Sequence, residues 1–206
     1  MLKISKNNIN PRFDFFKRVC VDECIIFLGD SIPRVKKVHI LDNTEENSQL
    51  LEDTGGALCQ IKYSKNSISC EIYISGNIKE YYSIKLPGEK DRREKFLESI
   101  NVPVNEYSLF LIVLLHELGH GNLVKLFYDA GLICDYTIFD SMAESLSNIF
   151  ERRKESLVRW EIYHNNSELP QLVNGIESQC DIFARDNFLP LWRKINKSLD
   201  RYTICG

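Results

Sequence analysis

His116, Glu117 and His120 stand in the order and spacing of a metal-dependent hydrolytic centre, in the run His116-Glu117-Leu118-Gly119-His120. Two histidines four residues apart on an α-helix lie on one face, one turn apart. Their imidazoles can then share a single tetrahedral Zn²⁺, each nitrogen about 2.0–2.1 Å from the ion. Glu117 follows the first histidine directly, and its angle around the helix aims it beside the metal. A carboxylate there takes a proton from a water on that metal. Gly119 leaves room for a neighbouring backbone or a substrate to come close. The chain has only 4 His, so chance alone rarely produces the pattern. The run before it, Phe110 to Leu115, is apolar on all sides, which implies a buried helix. Two histidines and a glutamate inside such a helix are costly unless something satisfies them. A metal does so directly; hydrogen bonds between two core histidines and their neighbours are the plainer alternative.

A catalytic zinc needs a third protein ligand and an open position. A third histidine six residues after the second is ruled out, because Leu123 and Leu126 occupy the positions that would need Gly and His. The third ligand should therefore be acidic and lie further on. Two segments offer one. Glu177 and Asp181 are four apart and share a helix face, so Glu177 can bind metal while Asp181 accepts a hydrogen bond from a histidine ring N–H and fixes its tautomer. Glu144 and Asn148 have nearly the same form, with Asn in the partner position.

HELGH followed by Glu177-x-x-x-Asp181-x-Phe183-Ala184 resembles the ImmA/IrrE family of metallopeptidases. In that family a Leu-rich HExxH helix is followed by a helix of the form E-x-x-A-(D/N)-x-F-A that ends in a Pro. Glu177, Asp181, Phe183, Ala184 and Pro190 fall at the matching offsets, with Cys180 where the family has Ala. The resemblance runs from Ala57 to Pro190. It implies His116, His120 and Glu177 as zinc ligands (a gluzincin set), Glu117 as general base, and Asp181 behind a histidine. It favours Glu177 over Glu144. It also implies cleavage of a protein substrate inside the cell. The stretch between His120 and Glu177 is longer than the family usually shows, and no helix-turn-helix module is evident.

The expected activity is metal-assisted hydrolysis of a peptide bond, with Glu117 passing the proton to the leaving amine. Tyr136, Tyr163, His164 and Arg185 are candidate donors to the oxyanion. His39, in an apolar strand-like run, reads as a structural histidine. Two other functions fit the same residues: a silent zinc-binding module that regulates or binds proteins, and a protease toxin or effector acting on a host-cell protein. An intact Glu117 weighs against the silent module, since a purely structural zinc would not need it.

The elements that must position these residues divide the chain in two. The N-terminal half reads as mixed α and β. Cys24–Leu28 and Val35–Leu41 are short apolar runs, and Thr44–Glu52 suits a short helix capped by Thr44. Ala57–Tyr63 and Ile68–Ser75 alternate apolar and polar residues across a four-residue loop, which predicts a hairpin. Lys79–Leu86 would add a third strand, and Ile68–Ser75 would be the edge strand that receives a substrate by strand addition. The C-terminal half reads as helices over 89–100, 104–129, 140–163 and 169–199, with Pro190 expected to kink or break the last. The fold class is α+β: a zincin-like domain with a small antiparallel or mixed sheet packed on a helical half that carries the HExxH helix. It is read as a single domain over 1–206, with 1–53 an N-terminal elaboration and 131–168 a helical insert.

At 206 residues, 44% hydrophobic, the chain can bury a sizeable core. A net charge of -3 argues against nucleic acid as partner. The 7 Cys contain no CxxC pair and read as reduced thiols. The polar start lacks the apolar core of a secretory signal, and the longest apolar run, Leu109–Leu115, is far short of a membrane span. A cytoplasmic protein is expected, with delivery by a route that needs no classical signal compatible with the same sequence.

Overall fold

A computed structural model of the chain describes residues 2–4, 11–41, 56–64, 67–85, 87–129 and 176–204. The elements are β1 (Leu2–Ile4), α1 (Pro11–Leu28), a 3₁₀ turn (Gly29–Ser31), β2 (Arg34–Leu41), β3 (Ala57–Ser64), β4 (Ser67–Ser75), α2 (Ile78–Lys85), α3 (Pro87–Ser99), α4 (Glu106–Asp129) and α5 (Ile176–Ile204). Among the described residues the protein is mixed α and β, mostly helical, with one small mixed sheet in the order β1-β2-β4-β3. Strands β1 and β4 run parallel to β2, and β3 runs antiparallel to β4.

The predicted hairpin is β3–β4, paired from Ala57↔Ile74 to Ser64↔Ser67. Its edge differs from expectation. β4 lies between β2 and β3, so among the described residues β3 is the edge strand. The residues of β4 explain this: Cys70, Ile72 and Ile74 are fully buried, as suits a strand paired on both sides. Their face of the sheet also carries Val38, Ile40, Cys59 and Ile61, all buried.

The third strand expected over Lys79–Leu86 is instead helix α2. Ile78, Tyr81 and Tyr82 are buried while Lys79, Glu80 and Ser83 are exposed, a helical spacing that the aromatic content of the segment obscured. Asn77 starts the helix, its carbonyl accepting from the Tyr81 N–H and its side chain bonded to Glu80. The short apolar run Cys24–Leu28 is the last turn and a half of α1. Phe13, Phe16, Cys20, Cys24 and Leu28 form that helix's buried stripe.

α3 ends in a left-handed residue, Asn101, at φ 56°. The N–H groups of Asn101 and Val102 return to the carbonyls of Glu98 and Leu97, closing the helix end. Four residues later Asn105 caps α4: its Oδ1 accepts from the N–H groups of Tyr107 and Ser108, and Ser108 Oγ accepts from the Asn105 N–H. α4 then runs through the core, with Leu109, Phe110, Leu111, Val113 and Leu115 fully buried. Glu106–Leu126 is long and apolar enough to cross a membrane, but 78% of its most apolar window is buried inside the protein, as in a core helix. α1 and α5 flank α4. Phe16 meets Tyr107 and Trp192 edge-on, and Phe188 stacks on Trp192. Pro190 lies inside α5, which continues past it to Ile204; the ring is exposed, so the N–H it lacks is missed on the solvent side. The helices expected over 44–52 and 140–163, and the start of the one expected from 169, lie outside the described residues.

Candidate metal centre

His116, Glu117 and His120 stand at the middle of α4, directly after its buried apolar run Leu109–Leu115. His116, Glu117 and His120 are 4%, 6% and 5% exposed. One nitrogen from each ring and one carboxylate oxygen lie within 4.8 Å of one another. The two rings stand nearly perpendicular, with centroids 4.9 Å apart.

α5 supplies the partners behind the rings. Asp181 Oδ1 is 2.8 Å from His116 Nδ1, and Cys180 Sγ is 3.1 Å from His120 Nδ1. With both Nδ1 positions engaged, Nε2 is the nitrogen that each ring can turn to a metal. The two helices meet here because residue 119 is glycine. A Cβ on Gly119 would stand 3.0 Å from Cys180 Cα and 3.1 Å from its carbonyl oxygen, tight enough that the α5 backbone would have to give by a few tenths of an ångström. Gly121, two residues on and so facing the other way, lies against Pro33 and the Cys59 thiol.

Asp181 also holds Arg92 of α3, Nη1 to Oδ2 at 3.0 Å. Burial alone would raise its pKa, but His116, Arg93 and Arg92 outweigh that and hold the carboxyl below its ordinary value. It therefore stays a carboxylate, the form that accepts the histidine N–H. The Cys59 thiol is hydrogen-bonded to that of Cys70 and lies close enough to Glu117 and Cys180 to feel both; the hydrogen bond, burial and these neighbours push it well up. The five described cysteines are reduced and buried.

The expected site residues thus fall into four groups. His116, Glu117, His120 and Asp181 come together. Glu177 lies on α5 one turn before Asp181, with its side chain outside the described residues. Glu144, Tyr136, Tyr163 and His164 lie outside them altogether. Arg185 is exposed on α5 and stacks over the Phe96 ring, 5.5 Å from its centroid. His39 bonds Glu71 at 3.1 Å and stacks flat on Tyr73, away from the centre on the opposite face of the sheet. Two partners escaped the sequence reading. Cys180 was visible only as an Ala replacement, and Arg92 is one of many charges on α3 with nothing to single it out.

The donor set suits zinc. Two imidazoles with a carboxylate beside them, each ring engaged at Nδ1 by a residue of α5, are donors of the kind that ion takes. No protein-family model, no curated protein and no solved structure matches the chain.

Proposed function

We propose that this protein is a zinc-dependent metallopeptidase of the zincin type, similar to the ImmA/IrrE family, that cleaves a specific protein substrate in the cytoplasm. The observation that carries the reading is the convergence of His116, Glu117 and His120 within 4.8 Å, with both rings buttressed from α5. His116 and His120 would hold the ion through Nε2, and Glu177, one turn before Asp181, would complete the set. A bound Zn²⁺ would supply Lewis-acid polarisation of the scissile carbonyl and acidify a water.

The chain's own residues do the rest. Glu117 accepts the proton of the attacking water and delivers it to the leaving amine. Its apolar surround keeps that proton from bulk solvent and strengthens its pull on the positive charge nearby. Asp181 holds the His116 ring in one tautomer. β3, the edge strand among the described residues, packs beside α4 and would receive an extended peptide by strand addition.

Metal analysis and one variant test this. Wild-type protein should carry close to one equivalent of zinc; less than about 0.2 equivalents after careful purification would sink the reading. Glu117→Gln should keep fold and zinc but lose cleavage by at least about 10²-fold. Terminal-fragment proteomics comparing wild type with Glu117→Gln in the native host reads out that loss and identifies the substrate. Fragments that persist unchanged in Glu117→Gln would remove Glu117 as the base.

A further inference from the structure

The histidines of the centre are gripped by two consecutive residues of α5 that differ in chemistry. Asp181 takes His116 Nδ1 and Cys180 takes His120 Nδ1. We propose that Cys180 is the positioning residue of His120, setting its ring orientation and its tautomer as Asp181 does for His116. The purpose of that role rests on the metallopeptidase reading; the contact itself does not.

The contact is built into the helix packing. Cys180 is 1% exposed, and its backbone lies against Gly119 of α4, where a Cβ would stand 3.0 Å away. At 3.1 Å the sulfur is within hydrogen-bonding range of the ring nitrogen. Only one direction of that bond serves a metal. If the thiol donated its proton to Nδ1, the ring would keep its own proton on Nε2 and present no lone pair there. If Nδ1–H donates to sulfur, Nε2 is left as a lone pair. The proposal therefore has His120 donating and Cys180 accepting. Sulfur is a weak acceptor, so burial and fixed geometry must compensate for what the single bond lacks.

The experiment uses the full chain with ¹⁵N-labelled histidine, stripped of metal by chelator and read by long-range ¹H–¹⁵N correlation. In wild type, His120 should carry its proton on Nδ1. Cys180→Ala should move it toward the Nε2-protonated form that free histidine prefers, and Cys180→Ser, which restores an acceptor, should bring it back. A wild-type His120 protonated on Nε2, or a tautomer unmoved in Cys180→Ala, overturns the proposal. Zinc affinity is then measured by competition with a chromophoric chelator, with circular dichroism confirming that each variant is folded. Cys180→Ala should bind zinc about 10- to 100-fold more weakly, and Cys180→Ser within about 3-fold of wild type; unchanged affinity in a folded Cys180→Ala also overturns it. Wild type that binds no zinc defeats the metallopeptidase reading instead, while the metal-free tautomer still decides whether Cys180 governs His120.

Discussion

Asp181 shows how much one side chain can be asked to hold. Its two oxygens divide between His116, at 2.8 Å, and Arg92, at 3.0 Å. Removing it would take the acceptor from a buried imidazole N–H, which is costly where water is scarce, whereas Arg92, exposed on α3, is solvated and loses little. Asp181→Ala should weaken zinc binding by about 10- to 100-fold, whereas Asp181→Asn should lose less, since its side-chain oxygen can still accept from Nδ1. Chelator competition on the two variants checks this. Equal affinities for Ala and Asn would mean that the bond to His116 does not matter to the metal, and affinity matching wild type in both would strip Asp181 of the role.

The pairing of α4 with α5 turns on a residue with no side chain. In an isolated helix Gly119→Ala should stabilise by about 0.8–1.0 kcal/mol. Here the new methyl would meet the backbone of Cys180 at 3.0–3.1 Å, and backbone cannot rotate away. The helices would have to part, at a cost of about 1–3 kcal/mol. Gly119→Ala should therefore be less stable than wild type in urea and should bind zinc more weakly, because Cys180 and Asp181 move off their histidines. A variant more stable than wild type with undiminished zinc affinity would show that the approach is looser than this. The sequence made α4 legible, through its apolar run and the His-x-x-x-His spacing, and the β3–β4 hairpin, through strict alternation. It hid the rest for physical reasons. α2 and α1 bury stripes of mixed aromatic, cysteine and aliphatic residues, and short windows of such stripes read equally well as strand. The placement of β4 inside the sheet depends on the parallel partner β2, over thirty residues away in the chain at His39↔Tyr73, and no local pattern encodes that pairing. The grip of Cys180 on His120 is a contact between two helices, visible only once Gly119 has brought them together.

Across the whole molecule, the sheet separates two chemistries. One face is apolar and packs on the helices that carry the centre. The other holds a polar cross-strand cluster: Glu71 on β4 accepts from Lys62 on β3 at 2.7 Å and meets His39 on β2 at 3.1 Å, with Tyr73 beside them. This cluster ties three strands together, so it bears on global stability and not on the metal. The Lys62 bond lowers the pKa of Glu71; burial opposes it, His39 adds to it, and the carboxyl settles at about 2. A carboxyl whose pKa is lower folded than unfolded contributes stability that is fully present above its ordinary value, near 4.5, and is lost as pH falls toward 2. Because the cluster is partly open to solvent, its worth at neutral pH should be about 1 kcal/mol. Glu71→Gln should thus be less stable than wild type by that amount in urea at pH 7. The gap should hold to about pH 5, shrink from about pH 4.5 downward, and approach zero near pH 2. Urea midpoints at stepped pH measure it directly. A gap that stays constant into acid, or widens there, would mean that Glu71 is not the carboxylate joining the three strands, and that the sheet relies on its apolar face alone.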